Sequence, residues 1–255
     1  CVLLVDTYNV IKSGIPNAIR VFEEVLQPLG VRPKGVRIDS GDIAYLSKKA
    51  RELLDAAGYQ DVKIVASNSL DEYIVRDLIL QDAKVDSFGI GENLITSKSD
   101  PVFGGVYKLA AVKQSEGYLP KIKVSESVEK LTTPHRKKIW RIFDNKTGKA
   151  MADYITVYDE EVDTTSGITL FDPIETWKTK TLEDCTAKPI QVQLFENGTC
   201  VYDLPSLESI RAFCAEQVDT LWDEVKRFEF PHRYYVDLSQ KLWDERQRLL
   251  KECSK

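Results

Sequence analysis

Histidine, methionine and paired cysteines are all scarce in this chain. Only His135 and His232 occur among 255 residues, and neither lies near a cysteine pair, which argues against a zinc centre. Five cysteines (Cys1, Cys185, Cys200, Cys214 and Cys253) form an odd, scattered set with no C-x-x-C, which reads as free thiols in a reducing compartment. No apolar run reaches the ~18 residues that indicate a membrane helix. Positive charge is not in excess either. A net charge of −5 argues against a broad grip on nucleic acid or anionic membrane, while leaving room for a local positive pocket. The sole methionine is Met151, and residue 1 is a cysteine. "CVLLVDTY" already reads as the middle of a buried strand with no signal peptide ahead of it, so the chain is expected to be the C-terminal part of a longer protein.

What is present is an alternation of strand and helix over residues 1 to about 100. The strands are expected at "VLLVDTY" (2–8), "GVRIDSG" (35–41), "VKIVASNS" (62–69) and "VDSFGIG" (85–91). They are short, rich in Val and Ile, and apolar on both faces at their starts, which suits a parallel sheet covered by helices. Helical spacing fills the gaps: "NAIRVFEEVLQPLG", "DIAYLSKKARELLDAAGY" and "LDEYIVRDLILQDA". Asp42 is the expected N-cap of the second helix and Gly58 its C-terminal glycine. Four strands with three helices make half of a (β/α)₈ barrel or part of a doubly wound sheet.

Residues 101–255 change character. "KKIWRIFD", "ADYITVYD", "ITLFDPI" and "IQVQLFENGTCVYDL" predict a mostly antiparallel layer, with turns at "NKTG" and "ENG". Two amphipathic helices are expected to close the chain. One spans about 206–228, with Ile210, Phe213 and Trp222 on its apolar face. The other spans about 238–253, capped by Asp237.

Each strand of the first half turns polar at its C-terminal end: Asp6-Thr7-Tyr8, Asp39-Ser40-Gly41, Ser67-Asn68-Ser69 and Gly89-Ile90-Gly91. In a parallel barrel these ends converge on the face where active sites are built. Arg37 and Asp39 are two apart and point to the same side of their strand. Burying both is costly unless they pair with each other or meet a charged ligand, and both readings stand at this point. An arginine fork suits phosphate or carboxylate, and an aspartate can hold a ribose hydroxyl or a water-bound magnesium ion. Asp6 is the natural second carboxylate, or else a cap of the turn that follows it. "SFGIGENL" offers two glycines whose backbone N–H groups can cradle a phosphate, or merely make a tight turn. His135, in "TTPHRKK", and His232, in "FPHRYY", read as surface or packing residues.

Taken together, the chain resembles the nicotinate phosphoribosyltransferases. The stretches that carry the resemblance are "LLVDTYNVIKSGIPNAI", "GVRIDSGDIAYLSKKARELLD", "KIVASNSLDE", "DSFGIGENLIT", "DPVFGGVYKLAAV" and "KVSESVEKLTTP". The resemblance implies an α/β fold: a partial, irregular β/α (TIM-like) barrel of a type II phosphoribosyltransferase, part of an α/β sandwich domain, and C-terminal helices. Residues 1–100 would supply the second half of the barrel. Residues 101–255 would supply a β-rich return to the sandwich domain and the two helices. The implied reaction joins nicotinate and phosphoribosyl pyrophosphate to give nicotinate mononucleotide and pyrophosphate. ATP is hydrolysed as co-substrate and Mg2+ assists, in a cytoplasmic homodimer with a shared active site. By position, Asp6, Arg37 and Asp39 take the catalytic places, with Asp6 and Asp39 around Mg2+ through water. Tyr8, Ser67, Asn68, Gly89 and Gly91 are assigned to substrate and its 5′-phosphate.

Two features depart from the family pattern. The phosphorylatable histidine of the family belongs to a segment upstream of "VDTY", so neither His135 nor His232 takes that role, and the chain by itself is expected to be inactive. Glu92 stands where many relatives carry threonine. A carboxylate facing a phosphate loop is repulsive, so the Glu92 side chain is expected to point away.

Overall fold

The structure is a computed structural model that describes residues 1–102, 104–125 and 130–253. Phe103 of "DPVFGGVYKLAAV" and residues 126–129 of "KVSESVEKLTTP" lie outside the described residues. The chain divides into two compact units, Cys1–Gly105 and Val106–Lys255.

The first unit is a mixed α/β layer. Strands β1 (Val2–Leu4), β2 (Gly35–Ile38), β3 (Lys63–Ala66) and β4 (Ser87–Phe88) pair in sequence order, all parallel. Four strands leave the sheet open, with β1 and β4 as its edges. Between them run α1 (Ile15–Val21), α2 (Ile43–Ala56) and α3 (Glu72–Leu80), and a single turn, α4 (Glu92–Ile95), follows β4. Val36, Ile38, Val62 and Ile64 pack with Ile15, Phe22, Ala50 and Leu54 in one continuous core. A second cluster joins Ile43, Ala44 and Ala66 to Leu70 and Leu78.

The first helical stretch begins earlier than its sequence suggests. The sequence places it at "NAIRVFEEVLQPLG", after Gly14 and Pro16. Instead, a wide π turn over Val10–Gly14 leads into α1, and a second π turn over Phe22–Leu26 follows it. Asn9 starts the run, its side chain accepting from Ile11 N at 3.1 Å and Lys12 N at 2.7 Å. Pro16 sits in the first turn of α1, where a missing N–H costs little. Gly14 is needed for close approach, because a Cβ there would lie 1.8 Å from the Val5 carbonyl oxygen.

The second unit centres on a four-stranded sheet of β11 (Cys185–Pro189), β7 (Lys137–Asp144), β8 (Ala150–Val157) and β14 (Tyr235–Leu238), in that order. Its small outer pieces are the hairpins β5 (Ala111–Gln114) with β6 (Gly117–Pro120), β9 (Ile168–Phe171) with β10 (Thr179–Leu182), and β12 (Phe195–Glu196) with β13 (Thr199–Cys200). In the main sheet, β7 (Lys137–Asp144) pairs antiparallel with β8 (Ala150–Val157) and with β11 (Cys185–Pro189). The "ENG" turn joins β12 to β13 with both Asn197 and Gly198 at positive φ, as the sequence predicts.

The C-terminal part corrects three expectations. Helix α5 (Leu207–Asp219) stops nine residues short of 228 and buries none of its residues, with Ile210 and Phe213 exposed. The stretch between the two expected helices holds a strand, β14 (Tyr235–Leu238), parallel to β8. Asp237 lies in that strand rather than capping the last helix, α6 (Gln240–Cys253). Ser239 takes the cap, its Oγ accepting from Leu242 N at 3.2 Å. Leu242 then packs on Val157 and Leu238. No helix among the described residues is long and apolar enough to cross a membrane. All five cysteines are free thiols.

Candidate active site

The register of the parallel sheet brings the strand ends together. Leu4 pairs with Arg37, Arg37 with Val65, and Val65 with Ser87. Two residues further along each strand stand Asp6, Asp39, Ser67 and Gly89. Because side chains alternate, these share the face that carries Arg37. The ladder continues into this row through Val5 N to Arg37 O (3.1 Å), Ser67 N to Ile38 O (3.0 Å) and Gly89 N to Ala66 O (2.7 Å). The opposite face holds Val36, Ile38 and Ile64 against the helices. Arg37 therefore sits on the uncovered side, with half of its side chain exposed.

Arg37, Asp39 and Ser67 form one hydrogen-bonded cluster. Arg37 Nη2 donates to Asp39 Oδ1 at 2.8 Å, and Arg37 Nε donates to Ser67 Oγ at 2.7 Å. The Ser67 hydroxyl donates to the same Oδ1 of Asp39. Asp6 joins from β1. Its Oδ2 accepts from Asp39 N at 2.8 Å and from Ser40 Oγ at 2.6 Å. The Ser67 hydroxyl, and next the Arg37 guanidinium, hold the Asp39 carboxyl below the ordinary aspartate range. Asp42 stays outside the cluster and caps α2, accepting from Tyr45 N at 2.9 Å.

The profile of the nicotinate phosphoribosyltransferase C-terminal domain matches residues 136–246. A nicotinate phosphoribosyltransferase of Bacillus subtilis is 40% identical over 252 residues, covering 99% of this chain and 51% of the relative. The human enzyme of that name is 34% identical over 251 residues, covering 94% and 45%. The crystal structure of human nicotinic acid phosphoribosyltransferase superposes with a TM-score of 0.73 at 26% identity, covering 100% of this chain and 46% of that one.

The chain belongs to the nicotinate phosphoribosyltransferase family. It spans about half the length of the relatives it matches.

Within that family frame, the groups left free in the cluster define what it can hold. Among the described residues, Nη1 of Arg37, Oδ2 of Asp39 and Oδ1 of Asp6 take no protein partner. Two carboxylates with one open oxygen apiece fit Mg2+, which keeps water and substrate phosphate as its other ligands. They do not make a dedicated protein cage. No group of three or more His, Cys, Asp or Glu is placed for a metal among the described residues.

The remaining expected site residues divide. Asn68 and Ser69 both adopt positive φ, and among the described residues their backbone N–H groups have no partner. The Asn93 side chain fixes this loop by donating to Ser69 O at 2.9 Å and Leu70 O at 3.1 Å. The Gly91 N–H is likewise free, whereas that of Gly89 is taken by Ala66 O. Ser67 has no spare donor, because its N–H and its hydroxyl proton are both committed within the protein. Tyr8 is almost fully exposed and makes no hydrogen bond to the cluster. Glu92 opens α4 with an exposed side chain. His135 and His232 belong to the second unit. There His135 N donates to Ala110 O, and the His232 ring packs on Tyr235.

Sequence reasoning missed the Ser67 bridge and the Asn93 brace. Both depend on the side-by-side placement of β2, β3 and the loop after β4.

Proposed function

We propose that the chain carries part of the active site of a nicotinate phosphoribosyltransferase of NAD salvage. Its substrates are nicotinate and phosphoribosyl pyrophosphate, and its products nicotinate mononucleotide and pyrophosphate. ATP hydrolysis is coupled to the reaction, so it is formally a ligase. The observation that supports this reading is the shared row of Asp6, Asp39 and Arg37 at parallel strand ends, in a chain 40% identical to a relative of that name.

Each residue has a task in such a reaction. Positive charge grows on the ribose as the pyrophosphate leaves, and the open oxygens of Asp6 and Asp39 lie where they stabilise it or accept from ribose hydroxyls. Bound Mg2+ supplies neutralisation of the departing pyrophosphate. The guanidinium of Arg37 offers a flat face to a pyridine ring and free N–H groups to phosphate oxygens. The free N–H groups of Asn68, Ser69 and Gly91 suit the 5′-phosphate. A homodimer with an active site shared between subunits, in the cytoplasm, belongs to the same reading and rests on the family resemblance.

The test places this chain in its full context, substituted for the matching half of the Bacillus subtilis relative. Nicotinate-dependent release of pyrophosphate, with Mg2+ and ATP present, is expected. A folded fusion that prefers nicotinamide would move the assignment to the nicotinamide-type relatives. A folded but inert fusion would sink it.

A further inference from the structure

Ser67 is 4% exposed and held between two charged side chains from the neighbouring strand. Its Oγ accepts from Arg37 Nε at 2.7 Å and donates to Asp39 Oδ1, the atom that Arg37 Nη2 also reaches at 2.8 Å. A serine hydroxyl has a single proton, and here Asp39 takes it. A phosphate oxygen needs a donor, and Ser67 has none to spare. The row position explains why serine fits. Ser67 lies beside Asp39 on the same face, and Gly89 on its other side leaves room, since a Cβ there would come no nearer than 3.4 Å to the Ser67 Cβ.

We propose that Ser67 is a positioning residue of the site rather than a phosphate ligand. It ties Arg37 and Asp39 into one rigid unit. Arg37 Nη1 and Asp39 Oδ2 are thereby left as the atoms that meet the substrate. Without the tie, the arginine keeps its contact with Asp39 but loses the bond that fixes its Nε edge, and its long side chain regains rotamer freedom on an open face. Asp39 loses the hydroxyl that donates to its Oδ1 as well. The consequence for the substrate rests on the reading of this row as a phosphoribosyl pyrophosphate site. The tie itself does not.

Two readouts separate these claims in the fusion with the matching half of the Bacillus subtilis relative. The first is protection of the Arg37 Nε–H against exchange with solvent, followed by nitrogen-15 NMR of the arginine side chains. The second is calorimetric binding of phosphoribosyl pyrophosphate with Mg2+. Ser67→Ala is expected to lose that protection and to weaken binding by about 10- to 100-fold, as misplaced groups do. Ser67→Thr, which keeps the hydroxyl, is expected to restore both. Should Ser67→Ala fail to fold, Ser67→Cys gives the same comparison through a weaker hydrogen-bonding group. An Arg37 Nε–H that stays protected in Ser67→Ala overturns the proposal, including the case where affinity falls, which is the signature of a direct phosphate ligand. Unchanged affinity overturns it too. If the unaltered fusion does not bind phosphoribosyl pyrophosphate, the reading of the site fails, and the Arg37 protection alone decides whether Ser67 is the tie.

Discussion

Arg37 commits two of its N–H groups to neighbours on different strands, Nη2 to Asp39 and Nε to Ser67. A lysine ammonium is a point charge and cannot span both while also facing a ligand. Arg37→Lys is therefore expected to weaken binding of phosphoribosyl pyrophosphate about tenfold or more, read by calorimetry. Asp42 is the contrasting case, five residues away. Its side chain serves only the Tyr45 N–H, so Asp42→Ala should cost about 1 kcal/mol of stability in urea unfolding and leave that affinity unchanged. A loss of binding at full stability would contradict this division of labour. The division was legible in "GVRIDSGD": residues two apart share a face, and an aspartate before an apolar helical repeat is a cap. The role of Ser67 was not legible, because its two partners are 28 and 30 positions away and meet it only through the β2–β3 register.

At the scale of elements, two contacts make sharp predictions. Helix entry at Gly14 lies against the backbone of the segment after β1, and a Cβ would overlap the Val5 carbonyl. Gly14→Ala should destabilise the first unit by about 2 kcal/mol or more, measured by thermal unfolding, since backbone cannot yield as a flexible side chain does. In β14, burial, aided by the nearby Asp172 carboxylate, pushes the Asp237 carboxyl up to about 6. The folded state thus holds a proton that the unfolded chain releases near pH 4. The contribution of Asp237 to stability is complete below that lower value and is lost as pH rises through about 6. Asp237→Asn should therefore change little at pH 4 and stabilise the second unit above pH 7 by on the order of 2 kcal/mol. A melting difference that does not vary with pH would refute it.

For the whole molecule, the open sheet matters most. Val2 and Leu4 are 52% and 54% exposed on the face that carries Arg37, and among the described residues both edges of the sheet are unpaired. Exposed apolar surface of this kind marks a place where more protein packs. Incubated alone with nicotinate, phosphoribosyl pyrophosphate, ATP and Mg2+, the chain is expected to release no pyrophosphate above background. Turnover by the chain alone would show that these residues suffice.

The sequence by itself determined the alternation of strand and helix over the first hundred residues, the polar strand ends, and the family, because periodicity, capping residues and motif order are local properties. It put the first helix at "NAIRVFEEVLQPLG", whereas the helical run opens at the Asn9 cap through a π turn that Gly14 and Pro16 do not interrupt. It also missed β14, whose strand character comes from pairing with β8 eighty-odd residues earlier. Only tertiary structure decided which atoms of the site are open. Asp6, Arg37, Asp39 and Ser67 come from three strands, and hydrogen bonds among them consume some donors and acceptors and leave others for a ligand. Strand register fixes that partition, and register is a relation between segments that no single segment encodes.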